Sequence, residues 1–166
     1  MPDNNFVSDL QALLLRLDDA GIDFVLVGGY AAMLHGSSLL TRGLDVCARL
    51  TPDAIEKLRN TFCDFHPRHR LSVPQLSFLD HPEPGVVRNN LYLNTDLGTL
   101  HLLGSITGIG DYARVACNAV QIELLGRSIR AISLDDLITA KEALGRGKDL
   151  LAAKELRAIR DKLRGE

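Results

Sequence analysis

Two glycines and an acidic residue stand close together near the start of the chain and have the spacing of a phosphate site. Gly28 and Gly29 follow the apolar run Phe24–Val27, and Asp45 lies inside the next apolar run. Glycine lets a backbone approach a phosphate, and free N–H groups at the start of a helix can face phosphate oxygens. An unpaired acid is costly to bury, so we expect Asp45 to be paired or functional. The glycine pair alone is also compatible with a plain tight turn from strand to helix.

A polar loop over residues 36–42 separates the glycines from Asp45. It carries Ser37, Ser38, Thr41 and Arg42, whose side chains can contact a phosphate. Loops of this composition are also commonly just solvated. The sequence therefore predicts Ser37, Ser38 and Arg42 as nucleotide-binding candidates and leaves the solvated alternative open.

The histidines give weaker signals. His66 and His69 have a spacing that would allow a metal to bind on a helix, but Pro67 lies between them and no partner pair follows, which disfavours a metal site. His35 ends a short predicted helix next to a glycine, where a structural role is as suitable as one supporting the site. His101 lies in a later predicted strand, where a hydrogen-bonded sheet histidine is a more common case than a ligand.

Composition limits the classes of function. The 166 residues carry a net charge of -2, so no overall basic field attracts nucleic acid. The part from Gly126 onward holds ten Lys/Arg against seven Asp/Glu, which weakly favours an RNA or nucleotide partner. Cys47, Cys63 and Cys117 show no CxxC spacing and suit reduced thiols in a cytosol. We expect no signal peptide, no membrane partner and a cytoplasmic location, since no apolar run approaches the roughly 20 residues of a membrane span.

Hydrophobic periodicity and turn signals predict an α/β (α+β) protein. Its helices are expected at residues 3–20, 30–35, 51–65, 111–118, 133–145 and 148–163, and its strands at 24–27, 44–50, 86–95, 99–103, 120–124 and 128–132. The proline-rich stretch 66–85 and the stretch 104–110 are expected to be loops.

This order of elements predicts one domain over residues 1–166, built as a mixed β-sheet with flanking helices and a C-terminal helical segment over 133–166. The early strands are expected to be joined by a short crossover and the later ones by hairpins. In the first helix, residues at helical spacing are expected to face the core, and Asp3 or Asn4 to cap its start. Those core residues are Phe6, Leu10, Leu13, Leu14 and Leu17.

The motifs together resemble the nucleotidyltransferase superfamily with the DNA polymerase β-like fold, and most nearly its minimal nucleotidyltransferase and AbiEii-toxin-like branch. The family signature is an apolar strand, a glycine followed by glycine or serine, a spacer, and then acid-apolar-acid. FVLVGGYAAMLHG matches the first part, and TRGLDVC stands where the acid pair belongs. LNTDLGTLHLLG resembles the later hairpin of the family, and SLDDLITAKEALGRGKDL resembles its C-terminal helical segment.

The resemblance implies two-metal chemistry, in which carboxylate oxygens hold two Mg²⁺ ions. Of the three acids expected, the first falls at Gly43, the second is Asp45 and the third falls at His101. Only Asp45 can serve as an expected catalytic acid and metal ligand, and His101 is a weak candidate because imidazole suits softer metals than Mg²⁺. Asp96 is near enough in the hairpin to contribute, although a turn at Leu97-Gly98 would place Asn94 opposite His101.

Lys141 matches a lysine that lies toward the site in similar proteins. It is expected to meet a triphosphate there, or else to be an ordinary solvated helix lysine.

These features predict a catalytically impaired nucleotidyltransferase-like protein that binds a nucleotide or another phosphate-bearing ligand at the Gly28-Gly29 turn. The alternative is an active, metal-dependent nucleotidyltransferase that moves a nucleoside monophosphate from an NTP to a hydroxyl of RNA, protein or a small molecule, as a toxin-like enzyme would. A plain structural domain without a ligand is a third hypothesis. Mg²⁺ is expected only if the site is competent, and the expected partners are a nucleotide, RNA or a partner protein.

Overall fold

The computed structural model describes the backbone of residues 4–165 and the side chains of residues 9–165. The α-helices in this range are α1 (Asn4–Asp19), α2 (Gly28–Leu34), α3 (Pro52–Phe62), α4 (Tyr112–Cys117), α5 (Leu134–Leu144) and α6 (Gly147–Leu163). The strands are β1 (Phe24–Val27), β2 (Gly43–Ala48), β3 (Arg68–His69), β4 (Asn90–Thr95), β5 (Gly98–Leu103), β6 (Ser105–Ile106), β7 (Gly110–Asp111), β8 (Val120–Leu124) and β9 (Arg127–Ala131). The expected cap at Asp3 or Asn4 and the side chain of Phe6 lie outside the described part.

Seven strands form one mixed sheet in the order β3-β4-β5-β2-β1-β9-β8. The β1–β9 and β2–β5 pairs are parallel, and the other neighbours in the sheet are antiparallel. Helices flank this sheet, so the predicted fold class is confirmed. None of the helices within residues 4–165 combines the length and the apolar character needed to cross a membrane.

The connection between the first two strands differs from the prediction. β1 and β2 are antiparallel neighbours with Val27 paired to Asp45, so the expected crossover is wrong. The chain turns back after α2, where Ser37 N donates to Ala32 O at 2.9 Å. The loop over 36–42 then enters β2 beside the end of β1, which places Asp45 next to the glycine turn.

The region before β4 also departs from the prediction. Residues 86–89 are not part of a strand, and β4 begins only at Asn90. The predicted loop over 66–85 contains the short strand β3, which pairs with β4. The buried Arg59 of α3 holds this segment by donating from Nε to Phe78 O at 2.7 Å. A tertiary contact therefore orders a stretch whose own sequence carries few structural signals.

The core lies between the sheet and the helices packed on it. Alternation along β2 buries Leu44 and Val46, whereas Gly43 and Asp45 lie on the more open face. The helix α1 packs on β2, β5 and α3, while α2 and α4 contact β1 and β2. Fully buried residues in this core include Leu13, Leu14, Leu17, Leu26, Leu44, Leu58, Phe62, Leu100 and Leu102. The predicted inward face of α1 is thus confirmed for its described side chains.

Candidate functional site

The glycine turn at the end of β1 fits tightly against Asp45. Gly28 has a positive φ of +65°, which L side chains rarely adopt. An ideal Cβ on Gly28 would lie 2.4 Å from Asp45 Oδ2. Gly28 is therefore required both by its backbone conformation and by the close approach of the carboxylate.

Gly29 has a separate reason for lacking a side chain. An ideal Cβ there would lie 2.8 Å from both Cβ and Oγ1 of Thr41. The Thr41 hydroxyl in turn donates to the Gly43 carbonyl at 2.9 Å. Gly29 thus allows the loop over 36–42 to close onto α2, and the two glycines together shape the wall next to Asp45.

Asp45 has a partner on the neighbouring strand. In the parallel β2–β5 register it lies beside His101, and His101 Nδ1 is 3.1 Å from Asp45 Oδ1. The other imidazole nitrogen, Nε2, lies 3.0 Å from Nη1 of Arg70. A guanidinium can only donate, so Nε2 accepts from Arg70 and the ring proton is on Nδ1, which lies within ion-pair distance of Asp45. The three side chains form a polar chain in which neutral His101 links an arginine to the carboxylate.

The side chains at the three expected ligand positions do not fit a pair of Mg²⁺ ions. Asp45 directs Oδ1 at His101 and Oδ2 at Gly28, while both nitrogens of His101 already have partners. Gly43 supplies no ligand, and an ideal Cβ on it would lie 3.2 Å from Thr99 O. Across the described residues, no three His, Cys, Asp or Glu side chains are grouped so that they could hold a metal ion.

A cavity of about 350 Å³ lies beside Asp45 and brings predicted residues together. Gly29, Ser37, Arg42, Asp45 and Lys141 all line it, although they come from four separate segments. Its charged lining consists of four cations and two carboxylates, so positive charge exceeds negative charge by two. These charged residues are Arg42, Lys141, Arg146, Lys148, Asp45 and Asp149.

Asp149 organises two of the cations. Its side chain is 2% exposed, and Arg146 Nε lies 2.5 Å from Asp149 Oδ2 while Lys141 Nζ lies 3.9 Å from Oδ1. The hydrogen bond from Arg146 is the main cause that holds the pKa of Asp149 below its usual value, with the charges of Arg146 and Lys141 acting in the same direction. Arg42 and Lys148 make no ion pair within residues 9–165, which leaves both available to a ligand.

The two loop serines contact a protein carboxylate. Ser37 Oγ donates to Glu155 Oε1 at 2.5 Å, and Ser38 Oγ donates to Glu155 Oε2 at 2.7 Å. These hydrogen bonds lower the pKa of Glu155. The serines therefore tie the loop over 36–42 to α6, and a phosphate contact from them would require these bonds to break.

The remaining candidates lie elsewhere or have structural partners. Asp96 forms the hairpin turn with Leu97 and binds His66 at 2.6 Å, so it does not lie opposite His101. Tyr92, rather than Asn94, lies opposite His101, because the turn is one residue earlier than Leu97-Gly98.

His35 and His69 bind main-chain carbonyls. His35 Nε2 lies 2.8 Å from Ile132 O, and His69 Nε2 lies 2.6 Å from His81 O. His66, by contrast, contacts the Asp96 carboxylate, so His66 and His69 have different partners.

Several residues near the site have no strong sequence signal. Arg70 follows β3 inside the predicted proline-rich loop, and Tyr92 stacks edge-on against His101 with ring centroids 5.1 Å apart. Arg146 lies within the glycine break between α5 and α6, and Lys148 lies in the first turn of α6. A cluster of basic residues at a break between helices is the signal that could have found this last pair.

A larger cavity of about 400 Å³ lies under residues 69–92. Tyr92 is on its wall, but neither Asp45 nor His101 lines it. The candidate site is therefore the smaller cavity, where the predicted residues meet.

Comparisons with known proteins give a result at the level of the fold. No protein-family model matches the sequence, and no curated protein is significantly similar to it. Among solved structures, the lincosamide antibiotic adenylyltransferase LnuA, in its lincomycin-bound form, matches with a TM-score of 0.60 at 16% identity, over 92% of this chain and 96% of LnuA. The chain has a nucleotidyltransferase-like fold.

Two further structures support the same fold. A Thermotoga maritima protein with a provisional nucleotidyltransferase assignment matches with a TM-score of 0.57 at 16% identity, over 100% of this chain and 97% of that protein. An antigenic nucleotidyltransferase-like protein from Paracoccidioides brasiliensis matches with a TM-score of 0.55 at 13% identity, over 96% of this chain and 77% of its own. The nucleotidyltransferase-like fold thus extends over the chain as a whole.

Proposed function

We propose that this chain is a nucleotidyltransferase-like protein that binds a nucleotide or another phosphate-bearing ligand in the cavity beside the Gly28-Gly29 turn. The observation that carries the proposal is the convergence of Gly29, Arg42 and Lys141 on one cavity with an excess of positive charge. Arginine and lysine are the side chains that bind phosphate oxygens by charge-assisted hydrogen bonds. The missing acid at Gly43 and the His101 at the third acid position support impaired nucleotidyl transfer.

Calorimetric titration with ATP, CTP, GTP and UTP tests this proposal. We expect Lys148→Ala to weaken binding by about tenfold, the factor that corresponds to about 1.4 kcal/mol. Lys154→Ala is the matched control, because Lys154 is an exposed lysine of the same helix that does not line the cavity. Equal losses in the two variants, or no binding of any nucleotide to the wild-type protein, would reject the cavity as a nucleotide site.

The second candidate is an active nucleotidyltransferase with a small-molecule acceptor. It is favoured by the fold match to LnuA, an adenylyltransferase whose structure contains lincomycin. In such a reaction an acceptor hydroxyl oxygen attacks the α-phosphorus of an NTP, and pyrophosphate leaves. Transfer of labelled AMP to hydroxyl-bearing small molecules would establish it, and RNA and protein acceptors are the alternative classes to include in the same assay.

Restoring the expected acids tests whether ligands alone were lost. Gly43→Asp combined with His101→Asp would rebuild the carboxylates that the family resemblance implies. Because a side chain at residue 43 meets Thr99 at 3.2 Å, the strand must shift slightly to accept it. Mg²⁺-dependent nucleotidyl transfer by the double variant, with none by the wild type, would show that the wild-type protein lacks only the carboxylate ligands for the metal.

The finer assignments belong to the same proposal. We place the chain in the minimal nucleotidyltransferase or AbiEii-toxin-like branch on its sequence motifs, with a toxin–antitoxin role and an RNA or protein partner as the corresponding biology. The free thiols of Cys47, Cys63 and Cys117 suit a cytoplasmic protein. Co-purification of the native complex from its source cells would identify such a partner.

A further inference from the structure

Arg70, an arginine beside the Asp45–His101 pair, has guanidinium N–H groups without a hydrogen-bond partner among the described residues. Arg70 follows β3 at the edge of the sheet, where its backbone N–H donates to Tyr92 O at 2.8 Å. Its Nη1 donates to His101 Nε2 at 3.0 Å, and within residues 9–165 its guanidinium makes no other hydrogen bond or ion pair. A guanidinium carries five N–H donors, so most of those on Arg70 remain unused.

The arginine contacts His101, which stands at the third acid position of the family resemblance. Arg70 occupies Nε2 of His101, and a cation bound to that nitrogen would stand against a guanidinium. The Nδ1 side of His101 is closed by Asp45, whose other oxygen lies against Gly28. The residues present therefore disfavour a divalent cation at this position and place a fixed organic cation there.

We propose that Arg70 and His101 form a metal-free subsite for the polyphosphate chain of a nucleotide. Arg70 supplies positive charge and hydrogen-bond donors to the phosphate oxygens, and His101 is a positioning residue that orients the guanidinium. This inference rests on the proposed nucleotide binding in the adjoining cavity. Asp45 connects the two parts, since it lines the cavity and also binds His101.

Charge balance supports a polyanion without a metal. Arg70 lies outside the cavity lining and adds a cation beside the four that line the cavity together with Asp45 and Asp149. His101 adds no net charge when its Nε2 accepts from Arg70. The resulting positive field attracts a polyphosphate and repels a free divalent ion.

Preorganisation supports the role of His101. A free arginine side chain loses rotamer freedom when it is fixed, and the hydrogen bond to His101 fixes part of Arg70 before a ligand arrives. The planar guanidinium can then present its free edge to two phosphate oxygens, as bidentate arginine contacts do. A lysine in the same place would carry the charge but not this geometry.

The first test is metal dependence, measured by calorimetry with ATP and with inorganic tripolyphosphate. Both are titrated into the wild-type protein in EDTA and then in excess Mg²⁺. We expect binding in EDTA to be as tight as in Mg²⁺ or tighter, because Mg²⁺ neutralises part of the ligand charge that the subsite recognises. Binding that requires Mg²⁺ would overturn the metal-free subsite while leaving nucleotide binding in the cavity intact.

The second test is the arginine itself. We expect Arg70→Gln to lower tripolyphosphate affinity by at least about tenfold. Arg70→Lys should lower it less, because the positive charge is kept although the bidentate guanidinium geometry is lost. Arg114→Gln is the control, since Arg114 is an exposed arginine on α4, outside the cavity. Unchanged affinity in Arg70→Gln would overturn the proposal.

The third test separates positioning from folding. In His101→Gln the amide can accept from Arg70 and donate to Asp45, so we expect affinity close to that of the wild type. In His101→Leu neither bond can form, and affinity should fall toward that of Arg70→Gln. Thermal unfolding of both variants shows whether they remain folded; equal affinities in the two folded variants would remove the positioning role of His101.

Comparing the binding of tripolyphosphate with that of ATP separates the phosphate subsite at Arg70 from nucleotide binding in the cavity. Tripolyphosphate binding that depends on Arg70, without ATP binding, would support the subsite and reject the nucleotide. ATP binding that depends on Lys148 but not on Arg70 would support the nucleotide and reject the subsite. Failure of both ligands to bind would reject both.

Discussion

Two carboxylates line the same cavity, and the protein holds them in different ways. Asp149 of α6 is 2% exposed and binds two permanent cations, Arg146 and Lys141. Asp45 of β2 is 31% exposed and lies within 3.1 Å of His101, which is neutral because its Nε2 accepts from Arg70. Asp149 therefore has a structural role, since it positions Arg146 and Lys141 beside the cavity. Asp45 is instead a part of the cavity wall that a ligand can reach.

The contrast shows why a count of acids misleads at this site. Either residue could be taken for a metal ligand from its type alone. Burial and partners separate them, because a covered acid with two cations is satisfied internally, while a partly exposed acid can still respond to a ligand. The Asp45 carboxylate also lies against Gly28, so a side chain at residue 28 would collide with it, whereas no glycine among the described residues has such a contact with Asp149.

The largest expected effect comes from filling the space beside Asp45. Gly28→Ala combines a positive φ with an overlap at Asp45 Oδ2, and we expect it to lower the free energy of unfolding by about 3 kcal/mol. Gly126→Ala is the matched control, since its φ of +77° carries the backbone strain but nothing lies within 4 Å of its Cβ. Urea unfolding of both variants measures the difference. Equal losses would mean that the Asp45 contact contributes nothing beyond the backbone strain.

The next effect concerns the buried acid. We expect Asp149→Asn to lower the free energy of unfolding by about 1–3 kcal/mol at neutral pH, because charge-assisted hydrogen bonds from Arg146 are weakened. The depressed pKa of Asp149 means that this stabilisation is present above its ordinary pKa of 3.8 and is lost as pH falls through the lower folded value. Urea unfolding at neutral pH and below pH 3.8 should show the two proteins converging in acid. A constant gap would contradict the ionic role of Asp149.

A smaller effect is expected at the accessible acid. Asp45→Asn should change the free energy of unfolding by less than about 1 kcal/mol, because a partly exposed pair with a neutral partner contributes little. The same urea measurement compares it directly with Asp149→Asn. If Asp45→Asn costs more than Asp149→Asn, the assignment of the structural role to Asp149 is wrong.

The smallest effect lies at the loop that closes the cavity. Ser38→Ala removes a hydrogen bond to Glu155, so the pKa of Glu155 should rise toward its ordinary value of 4.5. NMR titration of the Glu155 carboxyl group measures this change. Ser128→Ala, an exposed serine on β9, is the control and should leave the Glu155 pKa unchanged. No rise in Ser38→Ala would show that this serine does not hold the loop against α6.

Much of the local structure could be predicted from the sequence. The buried strand before Gly28 and the capped helices α3 and α5 follow from neighbours along the chain, through apolar runs, the Thr51 and Ser133 caps and the turn glycines. The choice of Asp45 and His101 as candidate site residues also came from the sequence, through the family motif. The structure places them in register on adjacent strands.

What the sequence alone determined was therefore most of the helices and the longer strands, together with the identity of Gly28, Gly29 and Asp45 as candidate site residues. Only the tertiary structure decided that β1 and β2 run antiparallel, that Arg70 reaches His101, and that Ser37 and Ser38 bind Glu155. Periodicity and capping depend on residues a few positions apart, so a single sequence displays them. Contacts between distant segments depend on how elements pack, and Ser37 and Glu155 are separated by 118 positions with no local pattern to join them.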